Sequence, residues 1–287
     1  MSTATDLQVE SHTYSNATTN KQHPSSLSPL SPSSTLNETC TTSSTSQIFH
    51  IYHTKSYINF TISRSTPATE ASEIQTKKNK PHHTLLYYVK NSYFTPGAPD
   101  LVLHAGPDEK APIISVCKFV LWSTDTKIGL VADPTATNPT VDESSMVWED
   151  LSRESRDHSK YRCEINISKS PSDDGVFSTN DDQGPSPSSS SSFERRAFLW
   201  KRTHSIGVGT SHPWKISACN FKMVDEQTGE IVAVFANNGF KSLKKKGKLE
   251  IMKLGYGMQF EVMVLMSALA LIERERRRSG QWRYDHY

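Results

Sequence analysis

Lysine is concentrated in one short segment of this chain, between two predicted strands. Five of the eight residues from 241 to 248 are lysines, namely Lys241, Lys244, Lys245, Lys246 and Lys248. Five ammonium groups cannot be buried without partners, so we expect this segment at the surface. Basic side chains close to an anionic membrane each contribute about 1 kcal/mol to binding. The segment is therefore a candidate site for anionic lipid headgroups, and its composition is also typical of a solvated turn that protects a sheet edge.

No other set of residues in the sequence has the spacing of a known catalytic or metal site. The histidines include no H-E-x-x-H motif, and there is no G-x-S-x-G motif, no P-loop and no D-x-D-x-D-G calcium loop. The four cysteines are scattered and include no C-x-x-C pair: Cys40, Cys117, Cys163 and Cys219. We therefore predict no catalytic residues, no metal ligands and no cofactor, and we expect a binding protein rather than an enzyme.

The overall charge limits the classes of partner. The formal net charge is +2 over 287 residues, which is close to balanced. Proteins with a nucleic acid as their main partner usually have a strongly basic domain, so we expect no nucleic-acid partner. The first ten residues show neither the basic nor the apolar stretch of a secretory signal. The expected location is the cytosol or the nucleus, with peripheral contact to a membrane if the lysines bind lipid.

The segment 257–278, GMQFEVMVLMSALALIERERRR, predicts the helix around which the other elements are arranged. It is apolar from Phe260 to Ile272 except for Glu261 and Ser267. Leu, Met and Ala favour a helix over a strand. A membrane span needs about 20 apolar residues, and this run is shorter. A helix that is apolar on every side must be shielded from water, so we predict that it is buried within the protein. The charges at its two ends suit the helix dipole.

Alternating polar and apolar runs before this helix predict about a dozen short strands. The first run is IFHIYH, in which His50 and His53 are expected on the strand surface. Two packed sheets offer no place for a helix that is apolar on every side, and a helix lying on one face would need a polar stripe, which is absent. A closed barrel encloses the helix and leaves no sheet edge exposed. We predict a mainly β fold, a closed antiparallel barrel of about twelve strands wrapped around a hydrophobic C-terminal helix.

Polar stretches of low complexity set the predicted domain boundaries. Residues 1–46 are rich in Ser, Thr and Asn and are predicted to form a disordered tail, in which Ser28 and Ser31 precede prolines and are candidate phosphorylation sites. Residues 168–192 predict a disordered insertion, because strand patterns resume after it. The barrel domain is predicted to span residues 47–280, followed by a C-terminal tail at 281–287.

Five segments, taken in their order along the chain, carry a resemblance to a known family. They are LLYYVKNS (85–92), DLVLHAG (100–106), FLWKRT (198–203), FKMVDEQTGEIVAVFA (221–236) and LALIERERRR (269–278). The region from about Gln47 to Ser279 resembles the tubby C-terminal-like superfamily, which includes tubby proteins, plant LURP-one-related proteins and phospholipid scramblases. Within that superfamily, it resembles a fungal branch of small proteins with this domain. The resemblance implies a barrel around a hydrophobic helix, and it carries less weight for function because one fold hosts many functions.

The resemblance also bears on the ligand. Tubby proteins bind phosphoinositides through basic side chains, which implies an anionic lipid here, although the match over the lysine segment is too loose to assign individual lysines. Scramblases use a calcium-binding segment, and this sequence has none. Two hypotheses remain open. The protein is a binding module that meets an anionic membrane through the lysines, or it is a soluble interaction or regulatory scaffold with a protein partner and a phosphorylatable tail.

Overall fold

The computed structural model describes residues 46–65, 84–92, 95–120, 123–132, 143–168, 193–209, 217, 219–239 and 242–284. All of them belong to one compact unit, Ser43–Tyr287. The predicted disordered tail lies outside the described residues except for Ser46, and the predicted insertion lies outside them except for Ser168. Cys40 and Lys241 also lie outside them.

Strands are the main type of regular structure in the described part of the chain. They are β1 (Gln47–His53), β2 (Phe60–Ser65), β3 (Thr84–Asn91), β4 (Leu101–His104), β5 (Ile113–Phe119), β6 (Thr126–Val131), β7 (Met146–Arg153), β8 (Lys160–Ser168), β9 (Phe193–Arg202), β10 (Phe221–Asp225), β11 (Ile231–Asn237) and β12 (Lys245–Ile251). Each strand pairs antiparallel with its neighbour in sequence, and β1 pairs with β12 to close the barrel. The prediction of a closed antiparallel barrel of about twelve strands is confirmed.

Among the described residues, one long helix, α1 (Met258–Tyr284), fills the barrel. Every side chain from Val262 to Glu273 is buried, and Phe260 is buried as well. Residues of the strands pack around it in one continuous apolar cluster. The prediction that the apolar part of the helix is shielded on all sides is confirmed, because the sheet curls completely around it.

The two polar residues within the apolar run both have partners in the barrel wall. The hydroxyl of Tyr87 donates a hydrogen bond of 3.0 Å to Glu261 Oε1. The indole N–H of Trp200 donates a bond of 2.9 Å to Ser267 Oγ, and that hydroxyl donates to the carbonyl of Val264 at 3.2 Å. Buried polar groups are normally satisfied in this way, so the two residues are matched to specific positions of the wall.

Helix α1 extends further than the sequence pattern indicates. It continues past Arg278 to Tyr284, so part of the predicted C-terminal tail is helical. The arginines between 274 and 278 consequently do not occupy the last turn, where the helix dipole acts most strongly. They bond instead to side chains and loops of the barrel, as set out below.

The topology decides which connections lie close together. In an antiparallel barrel the six connections β1–β2, β3–β4, β5–β6, β7–β8, β9–β10 and β11–β12 lie at one end, and the others lie at the opposite end. Because α1 follows β12, it starts at the end opposite the β1–β2 connection and runs towards the end where that connection lies. Arg274 and Arg277 there contact Asp125 and Asp100, which belong to the β5–β6 and β3–β4 connections. We call this the exit end of the barrel.

Candidate functional site

The lysine segment does not form a single loop. Lys245, Lys246 and Lys248 belong to β12, and only Lys244 lies in the connection that precedes it. The prediction that these lysines all lie between two strands is therefore wrong for three of them. The backbone of β12 pairs with β1 and β11 irrespective of side-chain charge, while the apolar residues of the strand face the core.

Gly247 explains why β12 can begin within this basic segment. A Cβ atom at this position would lie 2.5 Å from the carbonyl oxygen of Ala236 and 2.6 Å from the ring of Phe235. Contacts this short do not occur for real side chains, so only glycine lets β12 approach β11 here. Gly247 is thus a close-packed position of the strand.

Lys245 is held on the outside of the barrel by its neighbours. Its Nζ atom lies 2.7 Å from Nδ1 of His50 and 5.7 Å from the centre of the Tyr52 ring. Because an ammonium group only donates, Nδ1 of His50 accepts and its Nε2–H donates to Ser65 Oγ at 2.8 Å. His50 is only 1% exposed, so the expectation of a surface histidine is wrong. Lys245 helps to cover His50 and is therefore a weaker candidate for a ligand contact.

Exposed apolar side chains stand next to lysines on two neighbouring turns of the exit end. Leu243 in the β11–β12 connection is 78% exposed, and Tyr57 in the β1–β2 turn is 49% exposed. The turns are joined by the backbone N–H of His53, which donates to the carbonyl of Lys244 at 2.7 Å. Lys55 and Lys244 are exposed beside them, and Lys246 is partly exposed. We call Lys55, Tyr57, Leu243, Lys244 and Lys246 the exit-end tip.

The electrostatics of His53 link the tip to the helix. Burial lowers the pKa of His53, and the positive charges of Lys246 and Arg276 lower it further. A lysine of the tip and an arginine of α1 therefore act on the same imidazole. The sequence separates these two groups, and the barrel places them at the same end.

The second basic feature of the exit end is a cavity of about 310 Å³, which we call the exit pocket. Its walls come from the β5–β6 region, the β7–β8 region and α1. They are formed by Phe119, Ser123, His158, Tyr161, Arg274, Glu275, Arg277 and Arg278. No sequence motif marks these residues as a site, because they come from three distant parts of the chain.

Glu273 positions the arginines of the helix. It is fully buried and accepts hydrogen bonds of 2.7 and 2.8 Å from Arg276 and one of 2.8 Å from Arg277. Burial alone would raise the pKa of Glu273, but the bonds from Arg276 and Arg277 outweigh it, and the pKa lies below its ordinary value. Arg277 also donates to Asp100 Oδ1 at 2.6 Å. The signal in the sequence is a glutamate at the end of the apolar run with arginines three and four residues later.

Arg274 differs from these arginines in its partners. Its Nε donates to Thr126 Oγ1 at 2.8 Å and its Nη2 to the backbone carbonyl of Asp125, which are both uncharged acceptors. Within the described part of the chain, no carboxylate lies at ion-pair distance from it. Burial lowers the pKa of Arg274. Its guanidinium lies 4.9 Å from the centre of the Phe119 ring, which Arg277 also contacts at 4.6 Å.

A chain of hydrogen bonds sets the direction of the Tyr161 hydroxyl. Arg153 Nη1 lies 3.1 Å from Nε2 of His158, and Nδ1 of His158 lies 3.1 Å from the Tyr161 hydroxyl. Burial lowers the pKa of His158, and the charges of Arg278 and Arg153 lower it further, which favours the neutral ring. Arginine only donates, so Nε2 accepts and the hydrogen is on Nδ1. The Tyr161 oxygen therefore accepts from His158, and its own hydrogen is available to the pocket.

A third feature, on the outer face of β7, β8 and β9, has the properties of a structural ion-pair network. This groove of about 350 Å³ contains Glu149, which is 4% exposed and bonded by both Nη atoms of Arg195 at 2.7 and 2.6 Å. Glu164 joins Arg195 to Arg162, which also bonds Glu226. Each arginine is matched to carboxylates, so this groove is a weaker candidate for binding an anion than the exit end.

No protein family model, no curated protein and no solved structure matches this chain. In the described part of the chain, no helix has the length and apolar character needed to cross a membrane. The geometry of the exit end is therefore the observation that bears on function.

Proposed function

We propose that this protein is a non-enzymatic binding module that attaches peripherally to anionic, phosphoinositide-bearing membranes through the exit-end tip. The observation that carries the proposal is the exposure of Leu243, at 78%, directly beside Lys244. A solvated turn needs no large apolar side chain at its apex. An apolar apex with flanking lysines suits the boundary between lipid headgroups and acyl chains.

The two kinds of residue in the tip make different contributions to such a contact. Burying a leucine side chain contributes roughly 1.5–3 kcal/mol. Each lysine near an anionic surface adds about 1 kcal/mol, and this part depends on salt. Lys55, Lys244 and Lys246 supply the charge, whereas Lys245 is already engaged with His50. Together these terms suffice for reversible attachment.

The resemblance to the tubby C-terminal-like superfamily supports the same proposal, because tubby proteins bind phosphoinositides through basic residues. Membership of that superfamily is part of the proposal. The contacting residues are assigned here from exposure and charge, not from a motif.

Sedimentation with phosphatidylcholine vesicles, with and without phosphatidylinositol bisphosphate, tests the proposal. Lys244→Ser combined with Lys246→Ser should reduce the bound fraction several-fold, since roughly 2 kcal/mol of attraction is removed. The matched control is Lys110→Ser combined with Lys253→Ser, which removes the same charge at the opposite end. The control should bind as the wild type does, and both variants should keep the wild-type melting temperature.

Leu243→Ser tests the apolar part of the contact separately. It leaves the charge unchanged and should also weaken vesicle binding. If the wild-type protein ignores phosphoinositide vesicles at low salt, the lipid proposal fails and the scaffold hypothesis takes its place. Equal losses in the two lysine variants would show that total charge, rather than the tip, controls binding.

A further inference from the structure

We infer that the exit pocket binds a phosphate monoester group of a small molecule or headgroup, at a site separate from the exit-end tip. The tip lies on the turns next to β12 and β1, whereas the pocket lies between β5 and β8 across the end of the barrel. The inference goes beyond lipid attachment through the lysines and does not depend on it. Three observations carry it: the charge of the pocket, the donors in its wall and its volume.

Among the residues that the structure describes, the charges around the pocket do not cancel. Their hydrogen-bonded network in the pocket walls contains six arginines and four carboxylates. The arginines are Arg153, Arg202, Arg274, Arg276, Arg277 and Arg278, and the carboxylates are those of Asp100, Asp125, Glu273 and Glu275. A phosphate monoester carries about −1.5 to −2 charges at pH 7, which matches the excess of two guanidinium groups.

The donors in the wall suit phosphate oxygens. Arg274 has only uncharged acceptors among the described residues, and Arg278 is bonded only to Glu275 Oε1 and Oε2 among them. Tyr161 is 4% exposed and lines the cavity. Its oxygen accepts from His158, so its hydrogen has no acceptor in the described part of the chain. The hydrogen can therefore be donated into the cavity, where a phosphate oxygen would accept it.

The volume limits the size of the ligand. About 310 Å³ lies at the lower end of the range for small-molecule sites. It accommodates a single phosphorylated sugar or polyol. A free inositol phosphate and the headgroup of a phosphoinositide present the same chemistry to these walls, so the experiment must separate them.

The test is calorimetric titration of the full chain with inositol trisphosphate, with inorganic phosphate, and with phosphoinositide vesicles at low salt. Arg278→Gln should weaken inositol trisphosphate binding about tenfold, because one charge-assisted hydrogen bond is lost. Tyr161→Phe should weaken it by a smaller factor of about three to ten, and it leaves all charges in place. The matched control is Arg162→Gln, since Arg162 is also paired with carboxylates and its side chain is 36% exposed compared with 42% for Arg278.

Arg162→Gln should bind inositol trisphosphate as the wild type does. No binding of either soluble phosphate by the wild-type protein would overturn the inference, whatever the vesicles show. Equal losses in Arg278→Gln and Arg162→Gln would also overturn it, because the effect would then follow net charge alone.

The vesicle titrations identify the source of the phosphate and keep the two proposals distinguishable. If Lys244→Ser with Lys246→Ser loses vesicle binding and keeps inositol trisphosphate binding, the pocket takes a soluble ligand and the tip takes the membrane. If Arg278→Gln loses both and the lysine variant keeps both, the pocket takes the lipid headgroup and the tip proposal fails.

Discussion

Two buried polar side chains of α1 are each placed opposite specific partners. Ser267 lies in the middle of an otherwise apolar helix, and the indole N–H of the fully buried Trp200 donates to it. Glu273, also fully buried, lies at the point where the helix leaves the barrel and holds two guanidinium groups. Ser267 is a partner within the core, whereas Glu273 orients the basic side chains of the exit end. Their removal should therefore have different consequences.

Ser267→Ala should lower the free energy of unfolding by about 2 kcal/mol, because the Trp200 N–H would remain buried without an acceptor. Urea unfolding measures this directly. The matched experiment repeats the substitution in a Trp200→Phe background, where no N–H is left to satisfy and the cost should nearly vanish. An equal cost in both backgrounds would show that the hydrogen bond contributes nothing.

Glu273→Gln should change how stability depends on pH. The folded-state pKa of Glu273 lies below its ordinary value of 4.5, so the carboxylate stabilises the fold above that pH. This stabilisation is lost as the pH falls through the folded-state pKa. Glu273→Gln should therefore cost about 3 kcal/mol at pH 7, since it removes the carboxylate that Arg276 and Arg277 share and leaves Arg277 with Asp100 alone, and the difference from the wild type should shrink in acid.

Unfolding by urea at pH 7 and at pH 3 provides the measurement. Glu230→Gln is the control, because Glu230 forms an exposed ion pair with Lys253, whose contribution should be no more than about 1 kcal/mol. A penalty for Glu273→Gln that stays constant between the two pH values would contradict the role assigned to its charge.

Helix α1 and strand β12 show how single elements depend on their surroundings. The apolar part of the helix would be unfavourable in water on every side, so the helix requires the closed sheet around it. Strand β12 carries lysines and still forms, because its backbone pairs on both sides and its glycine permits close approach. Substitutions at Leu265 of α1 and at Gly247 of β12 test these two fits.

Leu265→Asp should abolish cooperative folding, because Leu265 is fully buried on α1 and an unpaired charge there is very costly. Ser279→Asp is the control on the exposed part of the same helix. Thermal unfolding followed by circular dichroism distinguishes the two. A Leu265→Asp protein that melts within a degree of the wild type would show that the helix is not central to the fold.

Gly247→Ala should destabilise the protein by about 1–3 kcal/mol, because the new methyl group meets the Ala236 carbonyl and the Phe235 ring. Gly255→Ala is the matched control, since nothing lies within 4 Å of a Cβ at that position. Comparable melting temperatures for the two variants would contradict the close packing of β12 against β11.

The charge of the protein is distributed unevenly although its total is small. The formal net charge is only +2, yet arginines of α1 and lysines of the tip gather at the exit end. Vesicle binding should therefore depend strongly on ionic strength, since the screening length falls from about 10 Å at 0.1 M salt to about 3 Å at 1 M. Sedimentation with anionic vesicles over this range should show that most of the binding is lost as salt rises. The Leu243→Ser protein should lose its vesicle binding at a lower salt concentration than the wild type does. Binding that does not respond to salt would contradict an electrostatic contact.

The sequence by itself determined the architecture. Alternation along the strands and the apolar composition of 260–272 are local properties, and they left a closed barrel as the natural place for the helix. The same local reasoning wrongly placed His50 at the surface and Lys245, Lys246 and Lys248 in a connection between strands. The pairing of β12 with β1 and the contact of Lys245 with His50 depend on residues far away in the sequence.

The tertiary structure alone decided which charges meet. Asp100, His158, Arg202 and Arg277 are far apart in sequence, and they converge because alternate connections of an antiparallel barrel share one end with the emerging helix. Neither composition nor spacing contains that information. It arises from the closure of β1 on β12, which determines where each connection lies around the helix.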